Sequence, residues 1–331
     1  LIAYLALYFG VFGIGYWYLN HRDAEVNQRV KAHVRAEHVD SLLRFIGLSA
    51  LWVSLEFIRG HLFSGFDWAG LGHSQYKNLV LTQIAEITGV SGISFLIVLV
   101  NLTIKDIWLH RRWKPEAAVC LAALLLSIGY GIIRLQHFQK SAGDQWRVAV
   151  VQANVAQDLK GEVTEWPENF DRHAKLTFEA AKHNPDVIIW PETSLPGYMW
   201  ETDVFIKQIR RMAQQLGIPI LVGAVTQEDG NYFNSAVLIA ADGSAGEQYD
   251  KIHLVPFGEY VPLRGFLPKT WESWIPVEDF SSGKSYKVFS VNSGKTHLKL
   301  SALICFEDTL PRLVSRFANE GAQVLVNITN D

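Results

Sequence analysis

The chain has 331 residues, 49% hydrophobic and 19% charged, which excludes a disordered or low-complexity polypeptide and allows about two domains. The net charge of −3 divides into +3 over residues 1–144 (13 Lys and Arg against 10 Asp and Glu) and −6 over residues 145–331 (17 against 23), and neither part is basic enough for nucleic acid to be the main partner. Two cysteines, Cys120 and Cys305, exclude a disulfide scaffold and a Cys-rich zinc site, and the eleven histidines show no zinc spacing. No phosphate-binding glycine loop is present, so neither a cofactor nor a metal is expected.

Leu1 opens inside an apolar run and Asp331 closely follows the strand-like residues 324–328. Both ends read as cut, and the missing signal peptide then says nothing about targeting. Four apolar stretches follow in order. Residues 1–19 carry no charge, residues 45–55 carry none in a run that continues through Glu56 and Arg59 to Phe63, and residues 87–104 and 117–133 are uncharged throughout. A spanning helix needs roughly 20 mostly apolar residues, so spans are expected near 1–19, 44–63, 87–104 and 115–135. Buried helices of a soluble core are the alternative, but four such runs exceed what one soluble domain supplies. Lys and Arg number four in residues 20–43, one in 61–86 and four in 105–114. By the positive-inside rule the first and third loops face the cytoplasm, and everything beyond about residue 140 lies outside it. Glu56 and Arg59 sit three apart near one span end, where a structural role is favoured over a functional one.

From Trp146 the texture changes. Residues 147–155 read as a strand, 168–183 as a helix, and 186–190 as a short buried strand ending at Pro191-Glu192. Residues 203–216 are helical, with Phe205, Ile209, Met212 and Leu216 on one face as core packing. Residues 218–225 and 235–240 are strands, the second followed by an Asp242-Gly243 turn. Residues 298–305 form another strand, with a helix across 310–320 and a strand at 322–328. This is α/β with a mixed sheet. The expected division is a membrane domain at 1–140 and an α/β domain at 145–331.

Three strand ends each present one reactive group, where ligand sites form in α/β sheets. They are Glu192 in Trp190-Pro191-Glu192-Thr193-Ser194, Lys251 in Tyr249-Asp250-Lys251-Ile252-His253, and Cys305 in Leu303-Ile304-Cys305-Phe306-Glu307-Asp308. Singly each has a bland explanation: a helix-cap carboxylate, a surface ion pair, a small buried hydrophobe. At a strand-to-helix turn, however, backbone N–H groups and a nearby Lys⁺ favour a thiolate, against Glu307 and Asp308.

The order Glu, Lys, Cys, each after a strand, resembles the carbon–nitrogen hydrolase (nitrilase) superfamily. The segment 250–262, with Lys251, Pro256, Phe257, Gly258, Glu259 and Pro262, resembles the apolipoprotein N-acyltransferase family. So do Phe57-Ile58-Arg59-Gly60, Gly65-Phe66-Asp67-Trp68 and Gly72-His73-Ser74-Gln75, in a part that soluble nitrilases lack. The resemblance spans nearly the whole chain. It implies a polytopic α-helical membrane domain followed by a nitrilase-like α-β-β-α sandwich, truncated at its C-terminus, with the four spans corresponding to the fourth to seventh of eight. It further implies N-acyl transfer from a phospholipid to the α-amino group of a diacylglyceryl-modified N-terminal cysteine of an apolipoprotein. The partners would be phospholipid donor, diacylated acceptor and bilayer, in the bacterial inner membrane with the catalytic domain on the periplasmic side. Cys305 would be the nucleophile, Glu192 the general base, and Lys251 the oxyanion donor together with the N–H of Phe306. Glu259 and Glu307 match further family glutamates, Glu259 orienting Lys251 or Glu192. Phe306 replaces a Tyr of some members, so no hydroxyl is required there. Trp166 is the nearest counterpart of a family tryptophan, with different local spacing. Two loops, Tyr198-Met199-Trp200 and Phe266-Leu267 with Trp271, Trp274 and Ile275, suit either an interfacial position or ordinary packing. The alternatives are a membrane-tethered amidase or nitrilase acting on a small C–N substrate, and a non-catalytic scaffold, which retention of all three reactive residues disfavours.

Overall fold

The computed structural model describes residues 2–29, 34–62, 69–110, 115–140, 145–155, 163–195, 203–262, 264, 279–293 and 296–330. The chain divides into two compact units at residue 143.

The first unit is helical: α1 (Ile2–Arg29), α2 (Val34–Arg59), a 3₁₀ turn (Leu71–Gln75), α3 (Leu79–Thr82), α4 (Ala85–His110) and α5 (Pro115–Lys140). Helices α1 and α2 overrun the apolar stretches that suggested them. The charged stretch 20–43 is thus helical except for residues 30–33, which lie outside the described residues. It contains no Gly or Pro, the two residues that most oppose a helix, so backbone hydrogen bonding continues where hydrophobicity stops. Among the described residues, Ala85–Leu109 and Pro115–Phe138 are helical segments long and apolar enough to cross a membrane; the apolar helical run Ala6–Leu19 is shorter. Helix α4 breaks at Gly89, which takes φ 66°, a conformation that strains any side chain.

Phe45, Leu48, Val98, Leu99, Leu102 and Cys120 form this unit's main core. Glu56 serves the structure: its Oε1 accepts from Trp52 Nε1 at 2.9 Å and from the Leu71 amide at 2.7 Å. The Gly72 amide donates to Ser94 Oγ at 2.9 Å, so the Gly72–Gln75 motif is fastened to both α2 and α4. Residues 65–68, the other half of that motif, lie outside the described residues. On α5, Arg134 grips Glu86 of α4 through two hydrogen bonds of 2.7 and 2.6 Å.

The second unit has two sheets. The first has the order β1 (Val148–Val150), β2 (Val187–Ile189), β3 (Ile220–Glu228), β4 (Asn231–Ile239), β5 (Ala245–Asp250). Its first three strands are parallel and the last two antiparallel. The second holds β6 (Phe289–Ser293), β7 (Thr296–Ile304) and β8 (Val324–Ile328), with β7 and β8 parallel. Helices α6 (Trp166–Ala181), α7 (Asp203–Leu216) and α8 (Pro311–Asn319) complete the unit.

Strand alternation sorts the core. Val187, Ile189, Leu221 and Leu238 meet Phe289, Leu298, Leu300, Ala302 and Ile304 of the other sheet, joined by Leu313 and Phe317 of α8. Ile188, Trp190, Ile220, Val222 and Ile239 face the opposite way, onto Phe170 of α6 and Ile206, Ile209 and Met212 of α7. Helices α6 and α7 thus cover one face of the first sheet and the second sheet packs on the other, with the apolar stripe of α7 used as core packing. Strand β1 is shorter than the run that suggested it. Val151 still donates to Ile189 O at 2.9 Å, but Asn154 at φ 49° ends the extension. Strands β3 and β4 join through Asp229 (φ 49°) and Gly230 (φ 79°), a two-residue Asp-Gly turn of the kind that matches strand twist.

Gly131 of α5 packs against α3 so closely that a Cβ there would lie 1.9 Å from Val80 O, whereas one on Gly129 would meet nothing within 4 Å. Gly131→Ala is therefore expected to lower the melting temperature in detergent. Gly129→Ala is expected to leave it unchanged or raise it, since Ala favours a helix by about 1 kcal/mol over Gly. Equal melting temperatures for the two variants would mean that α3 and α5 do not touch.

Candidate active site

Glu192 leaves β2 on a moulded turn. Gly223 of β3 lies so close that a Cβ there would sit 2.2 Å from Pro191 O and 2.7 Å from Glu192 Cα. The amides of Ser194 and Leu195 both donate to Gly223 O, at 2.9 and 3.1 Å, and Thr193 takes φ 45°. Only a residue without a side chain at 223 admits this approach. The carboxylate of Glu192 is thereby aimed inward and is 7% exposed.

Lys251 follows β5 and is 1% exposed. Its main chain is held on both sides: its amide donates to Asn234 O and its carbonyl accepts from the Gly283 amide, each at 2.8 Å. A buried ammonium is costly unless paired and hydrogen-bonded. Nζ lies 2.9 Å from Glu259 Oε1, 2.8 Å from Glu259 Oε2 and 3.7 Å from Glu192 Oε1. Glu259 is fixed in turn by the Val255 amide at 2.8 Å, inside a turn where Phe257 takes φ 62°.

Asn234, on β4, joins the two carboxylates. Its Nδ2 donates to Glu192 Oε1 at 2.7 Å and to Glu259 Oε1 at 2.8 Å. Sequence reasoning missed this residue. Its one signal is an amide side chain within a strand otherwise headed for the core, and Asn disfavours strands. Gly223 was missed as well, a glycine inside an apolar strand marking close backbone approach.

Cys305 begins a 3₁₀ turn (Cys305–Thr309) immediately after β7 and takes φ 54°, a strained conformation for a residue with a side chain. Phe306 behind it is buried and its ring lies 6.1 Å from that of His253. Glu307 is fully buried. Its Oε1 accepts from Tyr249 Oη at 2.8 Å, the Ile252 amide at 2.8 Å and the His253 amide at 3.1 Å, and its Oε2 accepts from the Ile304 amide at 2.9 Å. One carboxylate thus ties the Lys251 segment to the Cys305 turn. Burial pushes its pKa up against these bonds, and the same contact pushes the Tyr249 hydroxyl up, behind the larger effect of burial.

The electrostatics correct one expectation. Sequence reasoning put a stabilised thiolate at Cys305. Instead burial pushes the thiol above its ordinary value and the charge of Glu192 pushes it further, with Lys251 and the Thr329 hydroxyl opposing. A helix of little more than one turn has too small a dipole to reverse this, and Glu307 and Asp308 in it do not help. Burial also raises the Glu192 carboxyl, partly offset by Lys251 and Asn234. The Cys305 thiol and the Glu192 carboxyl are thus both held above their ordinary values. Among the described residues, no three His, Cys, Asp or Glu side chains are grouped to hold a metal ion.

Glu192, Lys251, Glu259 and Cys305 influence one another in one buried site, with Phe306 and Glu307 behind the cysteine. Trp166 opens α6. The loops at 198–200 and 266–275 lie outside the described residues.

Residues 147–331 match the family model of carbon-nitrogen hydrolases. The chain belongs to the carbon–nitrogen hydrolase family. Residues 1–103 match the apolipoprotein N-acyltransferase N-terminal domain, which adds to the hydrolase fold a part of its own. The chain is 36% identical over 298 residues to the apolipoprotein N-acyltransferase of Geobacter metallireducens, covering 86% of this chain and 56% of that one. It is 35% identical over 289 residues to that of Methylococcus capsulatus (85% and 55%), and 28% identical over 340 to that of Vibrio parahaemolyticus (100% and 62%). The chain thus spans little more than half the length of the first two relatives. A crystal structure of an amidase from Nesterenkonia sp. aligns with a TM-score of 0.43 at 20% identity, covering 57% of this chain and 66% of that one.

Two outcomes follow from the charges around Cys305. In wild-type protein the rate of Cys305 alkylation is expected to rise with an apparent pKa above that of an ordinary thiol. Glu192→Gln removes a negative neighbour and lowers that pKa; Lys251→Met removes the positive one and raises it. The pH profile of iodoacetamide labelling checks both signs, and profiles that superimpose would place neither group beside the sulfur. Glu307→Gln leaves at least one of four buried donors without an acceptor, which costs roughly 1–3 kcal/mol. A lowered melting temperature checks it.

Proposed function

We propose that the protein is an apolipoprotein N-acyltransferase. What carries the reading is the buried Glu192–Lys251–Glu259 cluster beside Cys305 in a chain whose N-terminal part matches that enzyme's own domain. The acyl donor is a phospholipid and the acceptor is the α-amino group of a diacylglyceryl-cysteine at an apolipoprotein N-terminus. The helices Ala85–Leu109 and Pro115–Phe138, with the charge alternation of the loops, support a polytopic membrane domain in the bacterial inner membrane. The α/β domain then stands on the periplasmic side. Spans near 1–19 and 44–63 complete that arrangement.

In the first half-reaction Glu192 takes the proton of Cys305 as the sulfur attacks the ester carbonyl of the phospholipid. The carbonyl oxygen becomes an oxyanion that Lys251 and the Phe306 amide stabilise. Collapse breaks the ester C–O bond, and the leaving lysophospholipid alkoxide takes the proton from Glu192. The product is a thioester on Cys305. In the second half-reaction the lipoprotein amine attacks that thioester and Glu192 accepts its proton. Collapse breaks the C–S bond, forming the amide, and the proton returns to sulfur. A thioester keeps much of the acyl group's activation, so one difficult aminolysis becomes two easier steps. Glu259 holds Lys251 in place, and Glu307 fixes the cysteine turn to the lysine segment.

The test incubates the intact protein in detergent with phospholipid and a diacylated lipopeptide and follows the peptide by mass spectrometry. The expected result is a mass increase of one acyl chain on the peptide N-terminus and an acyl adduct on Cys305. Cys305→Ala abolishes both and Cys120→Ala neither. An unmodified peptide, or an adduct on Cys120, would overturn the reading.

A further inference from the structure

We propose that Thr329 is a positioning residue for Cys305: its hydroxyl, carried by the segment leaving β8, holds the cysteine sulfur toward Glu192. The inference rests on the reading of Cys305 as the nucleophile.

The parallel register of β7 and β8 pairs Ile304 with Ile328. The next residue of each strand is Cys305 and Thr329, so the two leave the sheet side by side at the same end. The segment is pinned on either side of Thr329. Asn327 Nδ2 donates to the Cys305 carbonyl at 3.1 Å, and the Asn330 amide donates to Glu192 Oε2 at 3.1 Å. One short stretch therefore touches the main chain of the cysteine and the carboxylate that is to take its proton. Between these anchors the register sets Thr329 beside Cys305, and its hydroxyl is one of the groups that oppose the rise of the thiol.

The need for such a donor follows from the charges facing the sulfur. Glu192 from the end of β2 and Glu259 from the loop after β5 are both acidic, and Lys251 is the cation among these three. Lys251 is engaged by both oxygens of Glu259 and lies 3.7 Å from Glu192. Passing the thiol proton to Glu192 moves a negative charge from that carboxylate onto the sulfur. A hydroxyl offsets it without adding a formal charge or drawing Lys251 away from the position where an oxyanion develops. The backbone of Cys305 is set by its φ of 54°, which leaves rotation about χ1 to be fixed, and a bond to the sulfur fixes it. No proton changes owner through Thr329: the thiol proton goes to Glu192, and the hydroxyl keeps its own while donating.

The test is the pH profile of Cys305 alkylation by iodoacetamide in the intact protein, for wild type, Thr329→Val and Thr329→Ser, with melting temperatures alongside. Thr329→Val keeps the shape and removes the donor; a hydrogen bond of ordinary strength then predicts an apparent pKa higher by roughly 0.5–1 pH unit. Thr329→Ser keeps the donor and is expected to titrate like wild type. If Thr329→Val does not fold, Thr329→Ala takes its place with the same expected rise. A Val or Ala profile that superimposes on wild type overturns the proposal. So does a Ser profile shifted as far as the Val profile, because the residue would then act through packing. The readout needs neither lipid nor peptide. A shift in alkylation together with absent acyl transfer would sink the proposed function and leave this inference standing.

Discussion

A lysine ammonium shut away from water is the constraint on which the second unit turns. Lys251 is 1% exposed, and a cation so placed persists only with its counter-charges in position. Glu259 supplies both oxygens and Glu192 a third at longer range. Two carboxylates brought this close would repel, and the amide of Asn234 stands between them as a shared donor. The glycines at 223 and 283 then become intelligible, since each lets a main-chain segment carrying one of these charges come within contact of its neighbour. The cluster is a set of mutually dependent charges rather than three independent side chains.

That dependence also bears on the acidity of the cysteine. The cation is engaged by carboxylates before it reaches the sulfur, so burial and the charge of Glu192 prevail over it and hold the thiol above its ordinary value. In the proposed reaction, proton transfer to Glu192 and carbon–sulfur bond formation help each other. The strained turn at Cys305 keeps the sulfur at the sheet edge.

How much of this was legible in the sequence depends on distance along the chain. Glu192, Lys251 and Cys305 could be read because each closes a segment whose own pattern marks it as a strand. The α7 stripe was legible for the same reason. Strand β5 was not, because its residues are polar and it borrows its conformation from β4. Helices α1 and α2 exceeded their apolar runs because hydrophobicity reports the environment of a helix and not its hydrogen bonding. Asn234 and Thr329 were invisible as site residues, since their importance lies wholly in partners brought by the fold. Glu307 was singled out by resemblance, yet its four donors come from residues 249–253 and from Ile304. No local pattern announces that.

The long reach of these contacts bears on the order of events during folding. Glu307 joins a segment more than fifty residues upstream, and the amide of Asn330 closes on Glu192 across 138 positions. Contacts so far apart form after local ones, because the intervening chain must first be ordered. A polypeptide emerging from the ribosome can complete its first sheet and still present Glu192 and Lys251 without Cys305. Asn327 and Asn330 reach Cys305 and Glu192 only when β8 docks beside β7. A chain interrupted before β8 carries Glu192, Lys251 and Cys305 without the contacts that reach them from that strand's end.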